Sequence, residues 1–509
     1  MTSSTQRKEP GLLGRLRTHV TIAIGMAFVA AISYSSISLF RHNRFGSTID
    51  LAAQAQTVWG YSRFEIIPNT VIGIPNLLGD HFHPILMLLA PLFWIWDSAA
   101  VLLVAQAALL AVAGVPIYLW GAQRLGATAA LLFQGAFYVY WGLLAGVLFD
   151  FHHVVVAVAA VSWALYATVT RRNVLLVLMV AVAMLSREDV ALTLIALGFY
   201  IFVVQRRFLI GGVLMALNAV WFALLLGVIM PALAGAPYRH WTYTALGSGP
   251  MSATVNILRN PLRSVELLFT PVVKVRVWVA SFGSWLFLPL ISPLTLVAIP
   301  SFLERFWSDI PDLWTFHMQY SMLSAPILAF AAIDGAARLS ARMPDRKHSR
   351  IELQAAMTVL AASLVLSIFI NPLSELSTYV SSATADDIQS CLDVIPPSAG
   401  VASTQNLLAH LATRPNLYQI PILYTNGPSV DPIRVNIEYL AIDMATDTND
   451  ARYRSVVQSA LGTGYGVACT KRMTVILEKG ASSQTLSPEL QRWLAGDCSG
   501  RACLLGNQA

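Results

Sequence analysis

Long apolar stretches alternate with short basic segments along the first three quarters of the chain. The first stretch, residues 20–40, follows a basic N-terminus and is long enough for an α-helix to cross a bilayer. Because cytoplasmic loops are rich in Lys and Arg, placing the strongest basic segments inside gives one consistent topology of about 11 crossings. The predicted spans are 20–40, 98–121, 127–149, 153–170, 174–186, 190–205, 209–232, 277–289, 291–303, 318–337 and 354–371.

Two pairs of these spans are too short to cross a bilayer singly. The pairs are 174–186 with 190–205, and 277–289 with 291–303. We expect each pair to form two half-crossing helices or one bent hairpin with its tip inside the protein. Irregular backbone at membrane depth is stable only there or beside a wet cavity.

Composition supports the membrane assignment. Hydrophobic residues make up 56% of the chain and charged residues only 12%, about half of what soluble domains carry. The net charge of +6 resides in the predicted cytoplasmic loops and calls for no nucleic-acid partner. We expect a cytoplasmic N-terminus at 1–19 and a transmembrane domain at 20–372 with exterior loops 41–97 and 233–276. The first apolar run continues into Arg41 without a cleavage site, which favours an uncleaved span over a signal peptide.

The chain changes character after residue 372. Acidic residues become frequent and short period-2 runs appear, which predicts a small α/β domain over 373–509 outside the cytoplasm. This segment contains all of the cysteines, which suggests disulfides in an oxidising compartment. Cys498 with Cys503 closes a short loop and is the preferred pair, leaving Cys391 with Cys469; free thiols are the alternative.

A carboxylate stands where an amphipathic helix begins in the first exterior loop. The helix pattern starts at Leu51, so Asp50 occupies its N-cap or first turn. Free backbone N–H groups and the helix dipole favour a carboxylate there. Asp50 is therefore either a simple helix cap or a general base near the membrane surface.

Two exterior loops repeat a combination of Asp, aromatic and His residues. One reads Asp80-His81-Phe82-His83 and the other Asp150-Phe151-His152-His153. Imidazoles and carboxylates at one membrane face can form a single polar site that binds phosphate or a metal. The predicted metal ligands are Asp80, His83, Asp150 and His152. Plain interfacial polar residues are the alternative.

Further ionisable residues lie between apolar segments. Arg187-Glu188-Asp189 forms the tip of the first short pair, where unpaired charge is costly in a membrane. Arg187 is either half of a structural ion pair or a clamp for phosphate. Basic residues in loop 233–276 either attract a lipid headgroup or anchor the loop at the interface. His317 adds an exterior imidazole.

Several function classes lack their motifs. The sequence contains no Walker loop, GxSxG elbow or HExxH segment, so ATPase, serine hydrolase and zincin functions are not indicated.

The segments 50–59 and 76–86 resemble bacterial and archaeal membrane proteins grouped as domain of unknown function 2079. Similar segments are Asp150-Phe151-His152, Arg187-Glu188-Asp189, 289–293, 395–397 and 414–418. The layout of that family is similar to GT-C glycosyltransferases, which take sugars from polyprenyl-phosphate carriers. One departure is Ala55, which stands where the resemblance implies a second acid and therefore argues against metal dependence.

The resemblance implies a multi-pass protein of the bacterial plasma membrane, with membrane lipid and a polyprenyl-phosphate-linked sugar as partners. Asp50 would deprotonate the acceptor hydroxyl, and the remaining polar residues would bind the donor phosphate, directly or through a divalent metal ion. The implied substrate-binding residues are Asp80, His81, His83, Asp150, His152, Arg187, Glu188, Asp189 and His317. A transporter or flippase for a lipid-linked anion, and a non-enzymatic envelope assembly protein, are the alternatives.

Overall fold

The computed structural model of the protein describes residues 12–344, 348–371, 379–420, 437–444, 450–472, 474–482 and 486–498. It is mostly helical, with a small mixed β-sheet near the C-terminal end. The helices before that sheet are α1 (Leu12–His42), α2 (Ile49–Ser62), α3 (Leu92–Ile95), α4 (Ala100–Leu125), α5 (Ala127–Tyr138), α6 (Trp141–Val147), α7 (Val154–Val169), α8 (Asn173–Met184), α9 (Val190–Val203), α10 (Phe208–Leu224), α11 (Met230–Ala234), α12 (Pro250–Arg259), α13 (Pro261–Leu267), α14 (Val272–Gly283), α15 (Ile299–Trp307), α16 (Ser324–Ser340) and α17 (His348–Ile370).

Within the described ranges, four helices are long and apolar enough to cross a membrane singly. They are Thr18–His42, Ala100–Leu125, Phe208–Ala234 and His348–Ile370, and each coincides with a predicted span. The last residues of the third run through a π-helical turn at Leu225–Ile229. The chain is thus a multi-pass membrane protein with several apolar spans, while the number of about 11 crossings stays a prediction.

The predicted span 127–149 is broken in the structure. Helices α5 and α6 meet at an angle of 44°. The carbonyls freed at the break are satisfied from neighbouring helices: Ser367 donates to the Val139 carbonyl at 2.5 Å, and Asn371 donates to the Trp141 carbonyl at 2.9 Å. Such donors are needed because lipid offers none.

The two short pairs differ from each other. Helices α8 and α9 form the first pair with nearly the predicted bounds, and their connection carries Arg187, Glu188 and Asp189. The second pair is more irregular, because 3₁₀ helices at Leu288–Ile291 and Pro293–Ala298 separate α14 from α15. Gly335 of α16 makes room for this segment, since a Cβ there would lie 2.1 Å from the Leu288 carbonyl oxygen.

Among the residues that the structure describes after 371, the chain forms a five-stranded sheet and four α-helices. Its elements are α18 (Ser382–Leu392), β1 (Val401–Ser403), α19 (Gln405–Leu408), β2 (Leu417–Gln419), β3 (Tyr439–Asp443), α20 (Asp450–Gly462), β4 (Tyr465–Lys471), β5 (Thr474–Lys479) and α21 (Pro488–Ala495). The strand order is β2-β1-β3-β5-β4, in which β1 pairs in parallel with β2 and β3, and β5 pairs antiparallel with β3 and β4.

The sheet packs directly against the membrane-spanning part. Val401 and Ala441 on one face belong to the same buried core as the helices, whereas Ala402 and Leu440 on the other face form a separate core with Trp493. A disulfide between Cys391 in α18 and Cys469 in β4 ties this part together. The preferred pair of the sequence prediction includes Cys503, which lies outside the described residues.

Candidate functional site

A cavity of about 420 Å³ lies where the loop 41–97, the helix ends and the C-terminal sheet meet. Five residues singled out from the sequence line it: Asp50, Asp80, His81, His152 and Arg187. Arg239 and His240 of the basic loop 233–276 also line it, and further polar residues of the lining were not among the predicted site residues, namely Gln54, His153, Gln319, Tyr320 and Gln419. Gln419 ends β2, so the C-terminal sheet forms part of the wall.

Asp50 lies in the first turn of α2 and points into this cavity. Its side chain is 44% exposed and lines the cavity. Burial, together with the nearby charge of Asp150, raises the pKa of the Asp50 carboxyl to about 7. Nε2 of His152 lies 3.9 Å from the Asp50 Oδ2 atom. The site therefore holds a carboxyl that exchanges a proton near neutral pH.

Asp80, which lines the same cavity, is surrounded by basic groups. Arg239 donates to Asp80 through Nε at 2.8 Å and through a second, shorter contact from Nη2. His240 Nε2 lies 2.8 Å from the same carboxylate oxygen. Although burial raises the pKa of Asp80, His81, His240 and Arg239 outweigh it and hold the pKa well below its usual range. Asp80 is thus ionised at the centre of a basic cluster.

A close backbone contact brings these distant segments together. Gly79 precedes Asp80 and packs on Ala234 at the end of α11, a few residues before Arg239. A Cβ at Gly79 would lie 2.4 Å from the Ala234 nitrogen, so only glycine fits there.

His81 is held by a buried acid from the tip of the first short pair. Its Nδ1 atom lies 2.7 Å from Oε1 of Glu188, whose other oxygen accepts the Phe82 N–H at 3.0 Å. Burial alone would raise the pKa of Glu188, but His81 and Arg187 lower it to about 2. The same carboxylate raises the pKa of His81 against the effect of burial. Glu188 therefore orients His81 and does not line the cavity.

Three side chains of the cluster have the spacing of metal ligands. Asp80, His81 and His240 offer ligand atoms that all lie within 4.8 Å of one another. Imidazole nitrogens and a carboxylate oxygen suit Zn²⁺ and similar divalent ions. The carboxylate of Glu188 beside Nδ1 of His81 is also the kind of group that orients metal-bound histidines through their other ring nitrogen. This set shares only Asp80 with the ligands predicted from the sequence.

Two of those predicted ligands are oriented away from the cavity. His83 is fully buried, packs on His153 at 4.7 Å between ring centroids, and has no hydrogen-bond partner for either ring nitrogen among the described residues. Asp150 is also fully buried and accepts from Arg41 and from the start of α2. Both departures have one cause, because the short loops turn these side chains toward the helices behind them.

Arg187 stands between the cavity and a further acidic pair. It lies 2.9 Å from Asp189 and 3.5 Å from Glu304 of α15, so the structural ion pair considered from the sequence is present. Its Nε atom has no partner in the described part of the chain, and the side chain still lines the cavity. His317 is exposed and is not among the lining residues.

A second, mainly apolar cavity of about 620 Å³ begins beyond this ion pair. Asp189 and Glu304 belong to its lining, along with tyrosine and tryptophan side chains and the apolar faces of α9, α10, α12 and α15. A small polar space lined by Arg187, Asp189, Glu304 and Tyr320 lies between the two cavities. Polar and apolar binding surfaces therefore adjoin at Arg187.

Ala55, at the position of the expected second acid, is completely buried in α2 and does not line the cavity. An acid at that position would not face Asp50 in this structure.

Comparison with known proteins places the chain among membrane proteins. It matches the family described as predicted membrane protein (DUF2079) over residues 41–465. No curated protein matches it significantly. The structure of ArnT from Cupriavidus metallidurans bound to undecaprenyl phosphate is 14% identical, with a TM-score of 0.54 over 94% of this chain and 100% of that chain. The archaeal oligosaccharyltransferase AglB from Archaeoglobus fulgidus, in complex with an inhibitory peptide and a dolichol-phosphate, is 13% identical, with a TM-score of 0.44 over 91% of this chain and 75% of that chain. The likeness to ArnT shows a shared fold.

Proposed function

The chain belongs to the DUF2079 family of predicted membrane proteins, and from that premise we propose that it is a GT-C type glycosyltransferase. It would transfer a sugar from a polyprenyl-phosphate donor to a cell-envelope acceptor at the exterior face of the bacterial plasma membrane. The observation that carries the proposal is the single cavity that is lined both by Asp50 and by the basic groups around Asp80.

Asp50 acts as the general base in this proposal. An acid with a pKa of about 7 is ionised in a large fraction of molecules at neutral pH and still accepts a proton effectively. The acceptor hydroxyl gives its proton to Asp50 as its oxygen bonds to the anomeric carbon. The bond between that carbon and the phosphate oxygen breaks, the anomeric centre inverts, and polyprenyl phosphate leaves.

The leaving phosphate needs positive charge, which other residues of the cavity lining offer. Arg239 and Arg187 both line the cavity and both present guanidinium groups suited to phosphate oxygens. Asp80, His81 and His240 would hold a divalent ion, which when bound adds positive charge beside that phosphate. Charge fixed before the reaction stabilises the developing anion without reorganisation.

The apolar cavity suits the polyprenyl tail of such a donor. Its lining by Phe199, Phe222 and Leu303 continues from the polar space at Arg187, as a lipid with a charged head would require. The fold shared with an undecaprenyl-phosphate-bound protein supports the same choice of donor.

The proposal is tested by supplying labelled polyprenyl-phosphate sugars and cell-envelope acceptors to the purified protein in lipid nanodiscs. We expect Asp50→Asn to lower the release of polyprenyl phosphate by about 100-fold or more. Glu65→Gln, an exposed acid just beyond α2, serves as the matched control and should leave the rate unchanged. Equal turnover by Asp50→Asn would refute the base, and no turnover of any donor by the wild type would refute the enzyme class.

Transport of a lipid-linked anion is the second candidate. The meeting of the short helices α8 and α9 at Arg187 favours it, because broken helices often surround transport sites. Movement of labelled lipid across sealed vesicles without cleavage of the sugar–phosphate bond would identify this function.

A further inference from the structure

Asp150 occupies the junction of three chain segments. It lies in the loop between α6 and α7, and its side chain is 0% exposed. One carboxylate oxygen accepts from Arg41, in the last turn of α1, at 2.9 Å. The other accepts the Thr48 N–H at 2.8 Å, the Leu51 N–H at 3.2 Å and the Thr48 hydroxyl. Every one of these contacts crosses about a hundred residues of sequence.

These contacts are those of a helix cap supplied from outside the helix. The first N–H groups of a helix lack partners within it and are usually satisfied by the side chain of the N-cap residue. Thr48 is the N-cap residue of α2, but its side chain makes no capping hydrogen bond. The Leu51 N–H, which such a cap would satisfy, donates to Asp150 instead. A carboxylate at this end also interacts favourably with the helix dipole.

The same loop is fixed from behind. Gln106 of α4 donates to the Asp150 carbonyl at 3.3 Å and accepts the His152 N–H at 3.0 Å. His152 then extends into the cavity beside Asp50. Two residues of this loop thus reach α2: Asp150 bonds to the start of the helix, and His152 lies beside the Asp50 side chain.

We propose that Asp150 is a positioning residue, which caps α2 from another loop and thereby holds Asp50 in its working orientation. The expected effect on rate rests on the glycosyltransferase function proposed above, whereas the capping of α2 does not. Asp150 does not line the cavity, so in this proposal it acts through Asp50. The general base would be displaced if this cap were lost, and displacements of about 1 Å can cost a factor of about 100 in rate.

The first test measures hydrogen–deuterium exchange in the α2 peptide, residues 47–62, for the full-length protein in nanodiscs. We expect Asp150→Ala to speed exchange of the first-turn amides by about 5-fold or more, as the loss of a cap predicts. Asp150→Asn keeps one oxygen acceptor and should give a smaller increase. Asp334→Asn is the control, because it removes another buried carboxylate. Asp334 lies in α16, where its Oδ2 atom is 2.6 Å from Nε of Arg338, so this variant should leave exchange in the α2 peptide unchanged.

The second test is rescue. Thr48→Asp supplies a cap within α2, so adding it to Asp150→Asn should restore slow exchange. If the wild type transfers sugar, Asp150→Asn should lower kcat with little change in the donor KM, and the added Thr48→Asp should recover part of it.

Wild-type exchange of α2 in both folded Asp150 variants would overturn the inference, as would an increase in KM alone. Faster exchange in the variants of a protein that transfers no sugar would keep the cap and refute only the enzyme.

Discussion

Nδ1 of His81 lies 2.7 Å from Oε1 of Glu188, a contact between residues 107 positions apart in the chain. Because an ionised carboxylate can only accept, Nδ1 carries the proton and Nε2 is left as the nitrogen able to bind a cation or accept a proton. The tip of a short helix pair thereby sets the tautomer of a histidine in the loop that follows α2. Glu188 therefore influences the site by orienting His81, although its own side chain is only 2% exposed.

We expect Glu188→Gln to weaken binding of a divalent ion by about 10- to 100-fold, because the amide no longer fixes the ring of His81 as a carboxylate does. His240→Ala should abolish binding, since it removes one of three ligands. Metal content after equilibrium dialysis against Zn²⁺ or Mn²⁺ measures both effects. His317→Ala, an exposed imidazole away from the cavity, is the control, and an equal loss in that variant would contradict the site.

The pKa of Asp50 predicts opposite pH dependences for rate and stability. A base with a pKa of about 7 makes kcat/KM rise with pH up to about 7 and level off above it. Because burial raises the pKa above the value of about 4 in an unfolded chain, the folded state retains a proton that the unfolded state releases. Stability should therefore fall as pH rises between those two values.

Asp50→Asn removes this ionisation, so we expect it to raise the thermal midpoint at pH 8 relative to wild type, with little change at pH 4. Unfolding scans at both pH values measure the difference. A variant that is less stable than wild type at pH 8 would show that Asp50 does not carry the retained proton.

Much of the architecture follows from apolar stretches, but the number of long spans does not. Sequence hydropathy finds α1, α4 and α17 because each of these helices is one continuous apolar run long enough to cross a membrane. The segment between α14 and α15 is also apolar, yet it forms 3₁₀ helices at Leu288–Ile291 and Pro293–Ala298, and its backbone packs closely on Gly335 of α16. Hydropathy measures preference for an apolar environment and does not distinguish lipid from protein interior.

The candidate site could be predicted where chemistry is local. Asp50 at a helix start and Arg187 between apolar segments are unusual in their own neighbourhoods. His240 was missed as a partner of Asp80 because 160 residues separate them. Asp150 and Asp80 stand in similar local patterns, but only Asp80 lines the cavity, because Asp150 bonds to Arg41 and to the start of α2, which the pattern does not contain.

Arg239 should bind the donor phosphate, so its loss should act mainly on donor affinity. We expect Arg239→Gln to raise the donor KM by about 10- to 100-fold, the range of a charge-assisted bidentate contact. Arg239→Lys keeps the charge without the planar fork and should recover only part of the loss. Arg259→Gln, an exposed arginine of the same exterior loop, is the matched control in steady-state kinetics. An unchanged KM in Arg239→Gln would place the phosphate elsewhere.

The bond between Cys391 and Cys469 gives a test of topology as well as stability. It closes 78 residues, a loop length for which the chain-entropy estimate of stabilisation is about 4 kcal/mol. We expect the double variant Cys391→Ser/Cys469→Ser to unfold at a lower temperature than wild type, and reductant to remove most of the difference. Structural disulfides persist outside the cytoplasm and are rare within it. Whole cells treated with a membrane-permeant alkylating reagent, without reductant, should therefore yield the two cysteines as one cross-linked peptide pair. Alkylation of both thiols in intact cells would place the C-terminal sheet on the cytoplasmic side, and with it the cavity that Gln419 helps to line.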